Sequence, residues 1–285
     1  MRTPTMKALA AFERTVQVDG VQTHYYDAGE GDPLVLVHGG GAGMGAAVTW
    51  IYNIPQLAKD FRVIAPDLLG YGLTEMSEPP NYSSKAVAEH LVSLLKKLQI
   101  KRASLLGWSR GGWFVSYIAI KYPAMVGRLI LVNTGFANPN FHPISPSNLN
   151  DRRYTRADIK LWHDKLTYRH DLITKEMKDL RFKYGRKNFE LNKQRNELYE
   201  TSAAAHFRDT NIDGKRVTKL LSKIRSPTLI VWSTLNNNPI DMGLFLLNGI
   251  ESSQMHVFRD AKHEVFIDQY SEFNYLIKTF CKKPI

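Results

Sequence analysis

Ser109 stands in Gly107-Trp108-Ser109-Arg110-Gly111, the G-x-S-x-G spacing. A serine transfers an acyl group when a base takes its proton, a third group orients that base, and hydrogen-bond donors meet the developing oxyanion. The apolar Leu105-Leu106 leads into the pentapeptide, and an amphipathic helix is predicted from Gly112 to Tyr122. The serine therefore falls at a strand–turn–helix junction, the context of a nucleophile elbow. In so tight a turn a Cβ two residues before or after the serine would collide with a neighbouring strand or helix, hence the glycines. The serine itself is expected in a strained backbone conformation, with its hydroxyl above the sheet. A chance strand-to-helix turn can carry the same five residues, so the other parts of the site decide the matter.

With a serine elbow, the partners follow in the order nucleophile, acid, histidine. His263 lies in the loop after the last predicted strand, Met255 to Phe258, and is the expected base. The other histidines are worse placed: His163, His170 and His206 in a helical segment, His24 in a hairpin, His90 on a helix, His256 inside a strand. The glycine-rich turn His38-Gly39-Gly40-Gly41 can approach a substrate closely because it lacks side chains. The N–H groups of Gly40 and Arg110 are the expected oxyanion donors. The acid is missing. The loop after Thr228 to Trp232 reads Ser233-Thr234-Leu235-Asn236-Asn237-Asn238-Pro239-Ile240-Asp241. Asn236 is the best positional match. Its side-chain carbonyl can orient an imidazole but cannot supply the charge that stabilises an imidazolium. Asp241, an expected helix N-cap, and Asp260 remain as alternatives.

The elements that must carry these residues alternate. A hairpin is predicted over Phe12–Val18 and Val21–Tyr26 around Asp19-Gly20. Buried strands follow at 33–37 and 61–65. A helix is expected from Trp50 to Ala58, and another after Ser83 and Ser84 with Val87, Leu91, Leu94, Leu95 and Leu98 on one face. After the elbow comes a strand at Arg128–Val132. The alternation then breaks: Ala137 to Asn150 is a Pro/Asn/Ser-rich connector. Three helical stretches follow, near Ala157–Tyr168, Leu172–Tyr184 and Phe189–Ala205. Strands and helices resume at Ser226, with helices at Met242–Leu247 and Glu272–Phe280. This pattern predicts an α/β fold with a mostly parallel sheet and helices on both faces. Residues 1–136 and 213–285 form its core, and 137–212 an inserted helical cap.

Composition agrees with a globular chain: 285 residues, 44% hydrophobic and 23% charged. Neither a membrane-spanning run nor a secretory signal is found. The single cysteine, Cys281, excludes an internal disulfide and a cysteine zinc site, so a cytoplasmic home and no metal are expected. The net charge is +11. Between Asp151 and Arg225 stand 20 basic and 11 acidic residues, which carry nine of those charges. Solvated helix faces account for this best. A field that draws in an anionic substrate comes next. No nucleic-acid motif accompanies the charge, and neither phosphate-binding glycine motif is present.

The chain resembles the α/β-hydrolase superfamily over nearly its whole length, which implies an eight-stranded sheet. Within it the chain is most similar to the meta-cleavage product hydrolases, which cleave C–C bonds in vinylogous 1,5-diketone acids. The resemblance rests on His38-Gly39-Gly40-Gly41-Ala42-Gly43, on Ala65-Pro66-Asp67-Leu68-Leu69-Gly70-Tyr71-Gly72, and on Asp171-Leu172-Ile173-Thr174 followed by Leu180-Arg181-Phe182. Met255-His256-Val257-Phe258 and Glu272-Phe273-Asn274 also match. It implies a cofactor-free enzyme that acts on a small molecule and forms a homo-oligomer, a dimer by analogy. It places Arg181 over the site, against the substrate's anionic or keto end. The chain departs from the family at Trp108 and Thr49, where the family has asparagine, at Glu264, where it has tryptophan, and at Asn236, where it has aspartate. Gly39, Gly41, Thr49, Trp108, Arg181 and Glu264 are thus the expected substrate-binding set.

Three functions are compatible with these residues. The first is a serine-dependent hydrolase cleaving a C–C bond or ester in a small, anionic, diketo or cyclic substrate, through Ser109, His263 and Asn236. The second is a lyase, cyclase or isomerase that uses His263 as general base. The third is a ligand-binding receptor with little turnover.

Overall fold

A computed structural model describes residues 5–81, 83–134, 154–198 and 219–283. The connector Ala137–Asn150, the far end of the helix expected at Phe189–Ala205, and His206 lie outside the described residues. A short helix, α1 (Met6–Ala10), precedes the hairpin of β1 (Glu13–Val18) and β2 (Val21–Ala28). Asp19 and Gly20 both have positive φ, 49° and 81°. That is the turn whose twist suits two paired strands.

Strands β3 (Pro33–Val37), β4 (Arg62–Pro66), β5 (Ala103–Trp108), β6 (Val126–Val132), β7 (Thr228–Ser233) and β8 (Ser253–Phe258) complete one eight-stranded sheet. Its order is β1-β2-β4-β3-β5-β6-β7-β8. β1 to β2 and β2 to β4 are antiparallel, and all other pairs are parallel. The central strands β3, β5 and β6 are covered on both faces, which is why their sequences are apolar without alternation. Helices α4 (Ser84–Lys97) and α5 (Arg110–Lys121) pack on each other, and α5 packs on β5 and β6. Ser83 caps α4 by accepting from the Ala86 N–H.

Some boundaries differ from expectation. Trp50–Ala58 is not one helix but two short ones, α2 (Ala46–Trp50) and α3 (Ile54–Leu57). Pro55 at the start of α3 has no N–H to continue α2. The intervening Asn53 is buried, and its amide donates to the Phe266 carbonyl and Asn274 Oδ1. Helix α5 begins at Arg110 rather than Gly112, because Gly111 and Gly112 are tolerated where close packing demands them.

Between β6 and β7 the described residues hold α6 (Arg156–Leu166), α7 (Lys175–Lys187) and α8 (Phe189–Leu198). Thr155 and Asp158 form a capping box on α6, and Thr174 caps α7. Three helices close the chain: α9 (Ile240–Gly249), α10 (Val265–Asp268) and α11 (Tyr270–Lys282). The N-cap of α9 is Pro239, not Asp241, which sits exposed in the first turn. No helix among the described residues is long and apolar enough to cross a membrane.

Candidate active site

The turn from β5 to α5 holds Ser109 at φ 52°, ψ −119°. A β-carbon rarely tolerates this left-handed region. Two glycines make the geometry compulsory. A Cβ at Gly107 would strike the Gly111 carbonyl, and one at Gly111 would strike the carbonyls of Val37 and His38. The Ser109 N–H is tied to the Val132 carbonyl at 2.9 Å, which anchors the turn to the next strand. Ser109 therefore sits at the carboxyl end of the central strands, half exposed, as the motif led one to expect.

His263 follows β8 and is buried, 7% exposed. Its Nδ1 lies 2.8 Å from Asn236 Oδ1. Neither Asp241 nor Asp260 takes that position; both side chains are exposed. The orientation of the Asn236 amide follows from a second asparagine, Asn133, at the end of β6. The Ser233 N–H can only donate, and it points at Asn133 Oδ1 at 3.1 Å. Asn133 Nδ2 is then free to donate to the His263 carbonyl at 3.0 Å and Ser233 Oγ at 2.8 Å. Asn133 Oδ1 also receives Asn236 Nδ2 at 3.1 Å. With its NH2 committed there, Asn236 must present oxygen to His263, so Nδ1 carries the proton and Nε2 is the lone-pair nitrogen. Burial pushes the imidazole down to about 4, with the Glu264 charge opposing. His263 is thus a neutral base at ordinary pH. Asn133 was missed from the sequence; its only signal is an asparagine at the end of a strand, where φ is 45°.

Trp108 is expected to line a substrate pocket, but it is 1% exposed and acts on the histidine loop instead. Its indole N–H donates to the His263 carbonyl at 3.0 Å, and its ring lies 5.2 Å from the imidazole and 4.9 Å from Phe266. A large residue here braces the loop that carries the base. No hydrogen bond joins the Ser109 hydroxyl to His263. The two are linked through Trp108, the neighbour of one and the packing partner of the other.

The glycine turn lies against the elbow. A Cβ on Gly39 would meet Ser109 Cβ at 3.2 Å, and one on Gly40 would meet the Arg110 guanidinium at 2.7 Å. The Arg110 side chain reaches on to the Tyr71 hydroxyl at 3.2 Å. Arg110 opens α5, where N–H groups point out of the first turn. His38, also unassigned from sequence, holds the turn. The Leu68 N–H donates to its Nε2 at 3.1 Å, so its Nδ1–H donates to the Gly39 carbonyl at 2.6 Å.

The helices after β6 close over this turn. A Cβ on Gly41 would stand 2.8 Å from the Trp162 ring, and one on Gly43 would stand 2.5 Å from the Arg181 carbonyl. Arg181 packs against Gly43 of the glycine turn, and its charge is met within the protein. Nη2 donates to Glu264 Oε1 at 3.1 Å, and both side chains are fully buried. Trp162 Nε1 donates to the same oxygen at 3.1 Å, and the Thr167 hydroxyl donates to Oε2 at 2.6 Å. Burial raises the Glu264 carboxyl, but Arg181, His163 and Thr167 outweigh it and hold the group well below the usual range. Glu264 therefore faces a cation of α7 as its ion-pair partner. Thr49, also expected to bind substrate, is buried and directs its hydroxyl proton to the Gly45 carbonyl at 2.8 Å. Among the described residues no cluster of His, Cys, Asp and Glu is arranged to hold a metal.

Comparison with known proteins agrees with this architecture. Residues 32–270 match the family described as the alpha/beta hydrolase fold. The 2-hydroxymuconate semialdehyde hydrolase of Pseudomonas sp. (strain CF600) is 30% identical over 274 residues, covering 94% of this chain and 93% of that protein. The 2-hydroxy-6-oxo-2,4-heptadienoate hydrolase of Pseudomonas putida is 31% identical over 283 residues, covering 95% and 96%. Among solved structures, a meta-cleavage product hydrolase from Pseudomonas fluorescens IP01 superposes with a TM-score of 0.77 at 26% identity, covering 94% of this chain and 97% of that one.

Proposed function

We propose, on the premise that the chain belongs to the α/β-hydrolase fold family, that it is a serine-dependent hydrolase. Its substrate is a small diketo or cyclic compound in which a C–C bond or an ester is cleaved beside a carbonyl. The observation that carries this reading is Ser109 itself: a non-glycine residue held at φ 52° between two glycines that admit no side chain. Strain of this kind is kept where the surrounding structure imposes it, and it clusters at active sites. The relatives' names point to C–C cleavage, as 2-hydroxy-6-oxo-dienoates and a muconate semialdehyde are their substrates.

The chemistry runs through residues already described. The Ser109 hydroxyl gives its proton to His263 Nε2, and Oγ attacks the carbonyl carbon. The N–H groups of Gly40 and Arg110 receive the oxyanion. The C–C or C–O bond then breaks, and the departing fragment takes the electron pair and the proton from His263. Water, deprotonated by His263, releases the acyl group as an acid. Alternatively Ser109 first positions the attacking water. Hydrogen bonds between such groups often tighten only when substrate is bound.

Asn236 makes a second reading worth testing. Without a carboxylate the imidazolium lacks a protein counter-charge; when His263 takes a proton from carbon the enolate left behind supplies one, which suits a lyase, cyclase or isomerase step. One experiment separates the two. A panel of p-nitrophenyl esters and a ring-fission dienone is turned over by the wild type beside Ser109→Ala and His263→Ala. The hydrolase reading expects both substitutions to remove about 10³-fold or more of the activity. Activity that survives Ser109→Ala but not His263→Ala supports the second reading and overturns the first.

A further inference from the structure

Asp268, at the end of α10, is 2% exposed, and its carboxylate accepts three backbone N–H groups. Oδ1 takes those of Tyr168 and Arg169, each at 2.9 Å, in the connection between α6 and α7. Oδ2 takes that of Lys262, also at 2.9 Å, in the loop that carries His263. A buried carboxylate is costly unless hydrogen bonds meet it. Burial pushes the Asp268 carboxyl up, and the three N–H groups pull the other way. On the far side of the histidine the Glu264 N–H donates to the carbonyl of Leu166, the last residue of α6, at 2.9 Å. Both chain neighbours of His263 are therefore fastened to residues 166–169, one of them through Asp268. A second set of bonds comes from the ends of the central strands, through Asn236 at Nδ1 and through Trp108 and Asn133 at the His263 carbonyl.

We propose that Asp268 is a positioning residue for the base: it sets the imidazole against Ser109 by fastening the His263 loop to the connection between α6 and α7. The proposal rests on the hydrolase reading for the role of His263. A carboxylate orients an imidazole through a charge-assisted bond, roughly twice as strong as the neutral one that Asn236 makes. The place of this ring depends correspondingly more on its backbone. A shift of about 1 Å in a reacting group, caused by a change far from the chemistry, can cost about 10²-fold. Asparagine at position 268 isolates the effect. Its oxygen can still accept from Tyr168 and Arg169, and its NH2 then meets the Lys262 N–H, donor against donor. Asp268→Asn thus releases the histidine loop while the connection between α6 and α7 stays held.

Hydrolysis of p-nitrophenyl acetate by the wild type, Asp268→Asn, His263→Ala and the double variant makes a cycle that tests this. Asp268→Asn is expected to lower kcat about ten-fold or more, with KM within about three-fold. In the His263→Ala background the same substitution is expected to cost less than about two-fold, because the residue acts through the histidine. The second readout needs no turnover. The His263 pKa, followed by NMR titration of the ring, is about 4 in the wild type. It is expected to rise by about one unit or more in Asp268→Asn, as the released loop admits water. A kcat loss below about three-fold overturns the proposal, as does an equal loss in both backgrounds, the mark of a merely structural role, or an unchanged His263 pKa. If Asp268→Asn does not fold, amide hydrogen exchange of the wild type decides. The Lys262, Tyr168 and Arg169 amides are expected to open together, and a Lys262 amide that opens more than about three-fold more readily than the other two overturns the proposal. Failure of the hydrolase reading shows up separately, as ester turnover that persists in Ser109→Ala.

Discussion

Replacing Asn236 by aspartate would supply the missing acid, and the structure says what that gain is worth. A carboxylate at this position would lie about 2.8 Å from His263 Nδ1, the present distance of the amide oxygen. With charge centres about 4 Å apart and an effective dielectric near 20, the attraction for imidazolium is about 4 kcal/mol, or about three pKa units. Two costs oppose it. The new carboxylate is taken into a half-buried site. Its second oxygen would also face Asn133 Oδ1 at about 3.1 Å, where Asn236 now donates a hydrogen bond. Asn133 cannot turn round to help, because its oxygen accepts from the Ser233 N–H and its nitrogen holds the His263 carbonyl. One lost hydrogen bond and an acceptor facing an acceptor cost about 1–3 kcal/mol. The net expectation is that the His263 pKa rises from about 4 by one to two units. Ester hydrolysis should rise about ten-fold at pH 8, well short of the ~10⁴ that separates Asp from Asn where the whole site is built for the acid. The assay is the pH profile of kcat/KM from pH 3 to 9, with a thermal melt to follow the stability cost. An acidic limb that stays in place, or activity that falls while the fold is intact, would refute Asn236 as the orienter of the base.

Other outcomes follow from the same contacts. Asn133→Ala frees the Asn236 amide to turn its NH2 toward His263, so kcat should fall about ten-fold or more, with a loss of about 1–3 kcal/mol in denaturant midpoint analysis. Thr167→Val removes the hydroxyl that donates to Glu264 Oε2 and should cost a similar amount, read by thermal unfolding, while leaving His263–Asn236 in place. Gly111→Ala drives a methyl group into the carbonyls of Val37 and His38, and the expected result is loss of soluble folded protein rather than a kinetic defect. Stability should also fall with acid: His263 is lowered from 6.5 unfolded to about 4 folded, so its contribution is complete above pH 6.5 and is lost by pH 4. That window corresponds to about 3 kcal/mol, and urea unfolding at pH 7, 5.5 and 4 should show a smaller decline in His263→Gln.

Much of this was written locally in the chain. The elbow was legible because steric exclusion at Gly107 and Gly111 is a matter of neighbouring residues, and Ser109 needs only that turn to be presented. The alternation of apolar runs and helical faces announced the sheet, since each strand covered on both sides must be apolar throughout. His263 and Asn236 were found by their place after particular strands, and the fold brings them together at 2.8 Å. What the chain alone could not show is how buried polar groups pair. Arg181 and Glu264 are 83 residues apart, Asn133 and Asn236 are 103 apart, and neither pair shares a motif. Seen alone, Arg181 reads as a cation waiting for an anionic substrate and Trp108 as a pocket wall. Packing decides otherwise: α7 sets Arg181 against Glu264, and Trp108 turns its N–H to the histidine loop. Chain order determines which residues can be presented at the ends of the strands. Whether a presented charge or amide remains available depends on the partner that tertiary structure sets against it, because in a buried site each donor and acceptor must be met.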